Sequence, residues 1–222
     1  MTKLSNSLFV IIVIISLSSV SAAQQDDLSV LYFFSANCIH CKRVEPAIKE
    51  LSREFIVQGL LYGKDDPGPM PFNVRKGDKE TFARYGLEGV PALVVLRNDS
   101  VKQVIRGEYD IRDARALLRA FRKGAMTVSE AVEQGPQKTS NVAGWIVSKG
   151  EYFKNGGFFL TDRKQTIAVK PWLPIEAVKS PFRKTRLRLM SDVINKPVLL
   201  EGALTKINDD LQFTVRKEII LE

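Results

Sequence analysis

The feature that most constrains this chain is the tetrapeptide Cys38–Cys41 (Cys-Ile-His-Cys), which holds both cysteines and the only histidine among 222 residues. It lies just after the apolar run 31–34, which is typical of a buried strand. Two thiols separated by two residues on the first turn of a helix can close a small disulfide ring. The thiol nearer the helix start is stabilised as a thiolate by the helix dipole. The sequence therefore predicts a strand followed by a helix whose first turn carries an exchangeable dithiol.

Metal binding and a purely structural disulfide are the alternative uses of this tetrapeptide. A structural zinc normally takes four ligands, and the chain offers three Cys and His ligands, all within one helical turn. Monovalent copper accepts few sulfur ligands and stays an alternative. Covalent haem attachment needs a histidine after the second cysteine, where Lys42 stands. A structural disulfide across so short a loop would remove little entropy from the unfolded chain. These considerations favour a redox pair with no metal and no cofactor.

The N-terminal residues have the pattern of a secretory signal peptide. Lys3 precedes an apolar core, Leu8 to Leu17, that is short for a membrane span, and small residues follow up to Ala23. Cleavage is expected after Ala22 or Ala23, and an uncleaved anchor is the alternative. We therefore expect residues 1–23 to be a signal peptide and the mature chain to be periplasmic, where disulfides persist.

Apolar periodicity predicts an α/β domain over residues 24–123. Asn37 is the expected N-cap of the helix that carries the cysteines. The remaining expected elements are strands Leu28 to Phe34, Gln58 to Tyr62, Ala92 to Arg97 and Val101 to Arg106, a loop from Gly63 to Gly77, and helices Asp78 to Tyr85 and Ile111 to Phe121.

This order of elements resembles the thioredoxin fold over residues 28–123. The specific features are the Cys38–Cys41 motif, Pro46 five residues after the second cysteine, and Val90-Pro91 at the head of a strand. The resemblance implies that Pro91 is cis and lies beside the disulfide, and that Val90 and Pro91 form the edge that binds an extended substrate. Pro46 is expected to bend the helix by removing a backbone donor.

Residues 31–38 are similar to the sequence that approaches the active site of DsbA-like periplasmic oxidoreductases, which also place a histidine before the second cysteine. The resemblance implies that Cys38 is the attacking thiol, Cys41 the resolving thiol and His40 the stabiliser of the Cys38 thiolate. A stabilised thiolate makes the disulfide a stronger oxidant. A His40 that faces solvent without effect is the alternative. The chain departs from the family in having Tyr32 where thioredoxins keep a buried acid, and in lacking the helical insertion of DsbA proteins.

The C-terminal part predicts a small all-β domain after a linker at 124–141. Thr127 and Glu130 can form a capping box for one short helix, which Gly135 ends. Five strands and a loop with a helix at 179–194 then resemble an OB-type barrel over residues 142–222. The expected strands are Val142 to Ser148, Gly157 to Thr161, Thr166 to Val169, Val198 to Ile207 and Leu211 to Lys217.

The net charge of +8 is concentrated in the C-terminal half, with its densest basic run at 179–188. This run is either a solvated loop or a surface for an anionic partner. Aromatic residues in a basic barrel could also stack on nucleic acid, but strand aromatics more often belong to a core, and export argues against nucleic acid. The aromatics that look exposed in the sequence pattern are Trp145, Tyr152, Phe153 and Trp172.

Together these features predict an α/β chain that exchanges disulfides with cysteine-containing exported proteins, with oxidation favoured and a membrane redox partner to restore the pair. The alternative is an interaction protein of a secretion or conjugation system that keeps the thioredoxin scaffold mainly for docking. Residues 78–86, ahead of Val90-Pro91, are similar to periplasmic assembly proteins of conjugative transfer systems.

Overall fold

The computed structural model describes residues 28–147, 158–171 and 194–221. The predicted signal peptide, the basic run at 179–188, and Tyr152, Phe153 and Trp172 lie outside the described residues, as does most of the predicted loop and helix at 179–194. Among the described residues, no helix is long and apolar enough to cross a membrane.

The first domain is built on a five-stranded mixed sheet. Its order is β3-β2-β1-β4-β5, in which β1 pairs parallel with β2 and antiparallel with β4. The strands are β1 Leu28–Phe34, β2 Ile56–Leu61, β3 Asn73–Lys76, β4 Ala92–Arg97 and β5 Ser100–Arg106. The helices are α1 Ile39–Ser52, α2 Lys79–Arg84, α3 Glu108–Arg112 and α4 Ala114–Arg122.

The central strand β1 is apolar on both faces because helices cover both sides of the sheet. Alternate side chains of a strand point to opposite faces, so Tyr32 packs with α1 and α4 while Phe33 packs with α2. Burial of such a strand holds its end in a fixed place, and that end leads directly into the cysteine motif. The predicted α/β order is confirmed.

Three local expectations differ from the structure. The segment 63–77, expected as a loop, contains β3, which is short and whose side chains are mostly exposed, so no apolar pattern marks it. The single helix expected from Ile111 is two helices that meet at Asp113. The N-cap of α1 is Cys38 rather than Asn37, because the Cys38 sulfur accepts the hydrogen bond from the Cys41 backbone N–H.

The second domain is a closed five-stranded barrel in the order β10-β8-β7-β6-β9, with β8 parallel to β10. This arrangement fits the OB type that the sequence predicts. Its strands are β6 Gln137–Val147, β7 Phe158–Thr161, β8 Thr166–Pro171, β9 Pro197–Ile207 and β10 Asp210–Ile220.

The segment 124–141, expected as a linker, is packed against the barrel. It contains helix α5, Val128–Gln134, which begins with the predicted capping box of Thr127 and Glu130. Val128 and Ala131 are fully buried in the barrel core. Strand β6 begins five residues earlier than expected, so little of the segment is left as a free connection.

The two domains share an apolar contact. Trp145 of β6 is fully buried and joins the same cluster of side chains as Phe121 of α4. Trp145, which looks exposed in the sequence pattern, is therefore a core residue, in keeping with the expectation that strand aromatics more often belong to a core. Polar contacts add to this interface: Gln103 Nε2 donates to the Asp162 carbonyl oxygen at 2.6 Å, and Arg163 forms two hydrogen bonds with Asp110 at 2.8 and 2.9 Å.

Candidate active site

The two cysteines lie at the start of α1 with different exposure. Cys38 is partly buried in the N-cap position, and its Sγ accepts a hydrogen bond from the Cys41 backbone N–H at 3.1 Å. Cys41 is one turn further along and only 3% exposed. Both are free thiols. A sulfur at a helix start that accepts a backbone N–H is placed to carry negative charge. This geometry makes Cys38 the accessible sulfur of the pair.

The backbone ahead of β4 faces the Cys38 sulfur. The Cys38 thiol donates to the Val90 carbonyl oxygen at 3.7 Å, and the Val90–Pro91 peptide bond is cis, as the resemblance implies. The fold thus brings together Cys38 and a backbone segment 52 residues further along the chain. This proximity supports the prediction that Val90 and Pro91 bind the substrate.

Aromatic side chains of β1 pack in the same cluster as the buried Cys41. The Tyr32 hydroxyl donates to the Cys41 carbonyl oxygen at 3.4 Å, and the Tyr32 ring stacks on Phe34 with centroids 4.8 Å apart. Burial, followed by the hydrogen bond with Cys38, raises the pKa of the Cys41 thiol to about 12. Burial also raises the pKa of Tyr32 well above its usual range. At neutral pH, therefore, the Cys41 thiol and the Tyr32 hydroxyl are both protonated.

His40 lies at the first turn of α1 and contacts a carboxylate from another helix. Its side chain is 57% exposed, and Nδ1 lies 3.0 Å from Oε2 of Glu108 in α3. Glu108 also accepts from Arg43 at 3.5 Å and pairs with Arg112. The hydrogen bond from His40 is the main cause that lowers the pKa of Glu108; Arg112 and Arg43 add to it against the opposing effect of burial. The role of His40 as thiolate stabiliser stays a prediction.

Sequence reasoning missed Glu108. It lies 68 residues from His40, and nothing in the pattern around it marks a partner for the cysteine motif. In the described part of the chain, no group of three or more Cys, His, Asp and Glu side chains is arranged to hold a metal ion.

Known proteins are similar to the first part of this chain. The family model described as Thioredoxin matches residues 18–120, and no curated protein matches the chain. A secreted Mycobacterium tuberculosis disulfide oxidoreductase, described as homologous to E. coli DsbE, is 22% identical over 38% of this chain and 72% of its own, with a TM-score of 0.31. StoA from Bacillus subtilis is 12% identical over 41% of this chain and 81% of its own, with a TM-score of 0.35. A thiol-disulfide isomerase from Corynebacterium glutamicum is 20% identical over 38% of this chain and 73% of its own, with a TM-score of 0.32.

The fold and the family match together define a thioredoxin domain in the first part of the chain. Residues 28–122 form this domain, with a Cys-x-x-Cys pair at the start of its first helix. This chain joins that domain to a closed five-stranded barrel.

Proposed function

We propose that the chain is an exported thiol-disulfide oxidoreductase that oxidises cysteine pairs of other exported proteins. The observation that carries the proposal is the contrast between the two sulfurs. The Cys38 sulfur accepts a backbone N–H at the helix start, whereas the Cys41 sulfur is buried and protonated. An exchange centre needs this asymmetry, because one sulfur must be reached by the substrate and the other must close or open the ring.

The oxidising reaction begins with the Cys38–Cys41 disulfide. A substrate thiolate attacks Cys38 Sγ, a mixed disulfide forms, and Cys41 leaves as a thiolate that takes up a proton. A second substrate thiolate then attacks the substrate sulfur of the mixed disulfide and releases Cys38 as a thiolate. The substrate loses two electrons and gains one disulfide, and the pair gains the two electrons. A membrane redox partner would take these electrons and restore the pair.

The oxidising direction is proposed from the Cys38 thiolate rather than from Cys41. A thiol of high pKa is a scarce thiolate when it attacks and a slow leaving group when it departs, so the raised pKa of Cys41 slows exchange in both directions. A His40 that stabilises the thiolate of reduced Cys38 would raise the reduction potential and so favour oxidation of the substrate.

Export is supported by the pattern of the N-terminal residues: a charge at Lys3, a short apolar core and a small-residue exit before Gln24. Expression of the full chain with its natural start in a Gram-negative host tests it. We expect the periplasmic fraction to contain a protein that begins at Ala23 or Gln24, as read by N-terminal sequencing. Full-length protein that stays in the cytoplasm would contradict export.

The oxidase activity is tested with a reduced, unfolded protein that contains two cysteines. Oxidised wild-type protein should remove its two thiols in an equimolar reaction, and Cys38→Ser should not. Equilibration with glutathione should give a potential nearer to the roughly −120 mV of a strong oxidant than to the roughly −270 mV of thioredoxin. A docking role in a secretion or conjugation system predicts instead that Cys38→Ser keeps the phenotype of the host while deletion of residues 138–222 removes it.

A further inference from the structure

Glu108 connects the start of α3 to the cysteine motif by three side-chain contacts. Its side chain is only 10% exposed and accepts hydrogen bonds from His40 and Arg43 of α1 and from Arg112 of α3. The residue before it, Gly107, has a φ of +80° and donates its backbone N–H to the Pro91 carbonyl oxygen at 3.1 Å. Glu108 is therefore fixed next to the site by backbone and side chain.

The contact with Glu108 determines which ring nitrogen of His40 carries a proton. An ionised carboxylate only accepts hydrogen bonds, so Nδ1 of His40 is the donor to Oε2 of Glu108. Nε2, the other ring nitrogen, then carries no proton in the neutral imidazole. It becomes a donor when the imidazole is protonated. The carboxylate thus fixes the tautomer of a side chain two residues after Cys38, and the contact restricts the ring at the first turn of α1.

We propose that Glu108 is a positioning residue for disulfide exchange: it holds the His40 imidazole at the first turn of α1 so that the ring stabilises the Cys38 thiolate. This inference rests on the proposed function and extends it to a residue of another helix. Glu108 itself does not touch the reacting sulfurs; it acts through His40.

The charge of Glu108 by itself predicts the opposite effect. A carboxylate near Cys38 disfavours a thiolate by Coulomb repulsion. Arg43 and Arg112 counter it, since two guanidinium groups and one carboxylate leave a net charge of +1 before His40 is counted. Removing Glu108 should therefore destabilise the thiolate if positioning dominates and stabilise it if the carboxylate acts only through its charge. The sign of the change separates the two mechanisms.

The test measures alkylation of Cys38 in the reduced full-length protein as a function of pH. We expect Glu108→Ala to slow alkylation of Cys38 at pH 6 about three- to tenfold and to make the measured reduction potential more reducing. Glu108→Gln keeps an acceptor oxygen and should retain part of the wild-type rate. Glu50→Ala removes a carboxylate from the helix that carries His40, where Glu50 pairs with Arg53 and Arg115 away from the site, so this variant is the matched control and should match wild type.

The double variant provides the decisive comparison. If Glu108 acts through His40, then Glu108→Ala should not slow alkylation in a His40→Ser background, where only the effect of its charge is left and the rate should be unchanged or higher. An equal effect in both backgrounds, a faster alkylation in Glu108→Ala, or a His40→Ser variant with wild-type Cys38 reactivity would overturn the proposal. Failure of the proposed function is recognised separately, because wild-type protein would then leave the thiols of the reduced substrate intact. Thermal melts of all variants exclude misfolding, and Glu108→Gln remains if Glu108→Ala does not fold.

Discussion

Burial of Cys41 predicts that this thiol reacts slowly when it is the only cysteine left in the protein. In a Cys38→Ser variant, Cys41 is the only thiol of the chain. Its pKa of about 12 in the wild type arises first from burial, which the substitution leaves in place, and then from the hydrogen bond with Cys38, which the substitution removes, so about 12 is the upper bound for the variant. At pH 7 a thiol of pKa 12 is about 1 part in 100,000 thiolate, against roughly 3% for a free cysteine of pKa 8.5. At this upper bound the thiolate population of Cys41 is roughly three thousandfold lower.

A higher pKa also makes the thiolate more nucleophilic, and this offsets part of the loss. With a Brønsted coefficient of about 0.45, the 3.5-unit difference in pKa raises the intrinsic rate roughly fortyfold. The net expectation is that Cys41 reacts about a hundredfold more slowly than free cysteine at pH 7. Its 3% exposure slows the reaction further.

The rate of exchange with an aromatic disulfide reagent is measured from the absorbance of the thiolate that the reagent releases. The Cys38→Ser rate should rise tenfold per pH unit without a plateau below pH 10. Cys41→Ser, which keeps only the partly buried but accessible sulfur of Cys38, is the matched control and should react much faster. A Cys38→Ser variant that reacts within tenfold of free cysteine at pH 7 would refute the reasoning from burial.

Two further predictions concern stability. A Cβ on Gly202 would lie 2.1 Å from the Thr214 carbonyl oxygen, so Gly202→Ala should lower the melting temperature by about 3 to 10 °C, whereas Gly89→Ala, with open space around it, should not. An unchanged melt for Gly202→Ala would contradict this packing. Glu54 binds two arginines of α4, which lower its pKa from 4.5 to about 2, so Glu54→Gln should cost about 1 kcal/mol at pH 7. That cost is complete above pH 4.5 and should vanish as the pH falls toward 2; urea unfolding at several pH values measures it, and a cost independent of pH would argue against the ion pairs.

The sequence predicts those parts of the fold whose signals are local. The apolar strand β1, the capping box at Thr127 and the alternating strands of the barrel each depend on neighbours within a few residues, and all are confirmed. Strand β3 was not predicted, because a short edge strand with exposed side chains shows no alternation of apolar and polar residues. The packing of 124–141 on the barrel depends on contacts that only the closed barrel provides.

The same distinction applies to the site. Both cysteines and the Val90-Pro91 segment carry a recognisable motif, and the structure places Cys38 against Val90. Glu108 could not be found in this way, because its contact with His40 joins residues 68 positions apart and any acidic residue near the start of α3 would have looked the same. Pairwise contacts between distant polar residues follow from the folded topology rather than from a local pattern.

Trapping the mixed disulfide tests whether Cys38 is the sulfur that exchanges with substrate. Reduced Cys41→Ser and Cys38→Ser variants are incubated with a peptide disulfide at pH 7, and the adducts are located by mass spectrometry after digestion. We expect rapid, stable addition of one peptide to Cys38 in Cys41→Ser, because no resolving thiol remains to release it, and little or none to Cys41 in Cys38→Ser. Equal addition to both variants, or addition to neither, would contradict it.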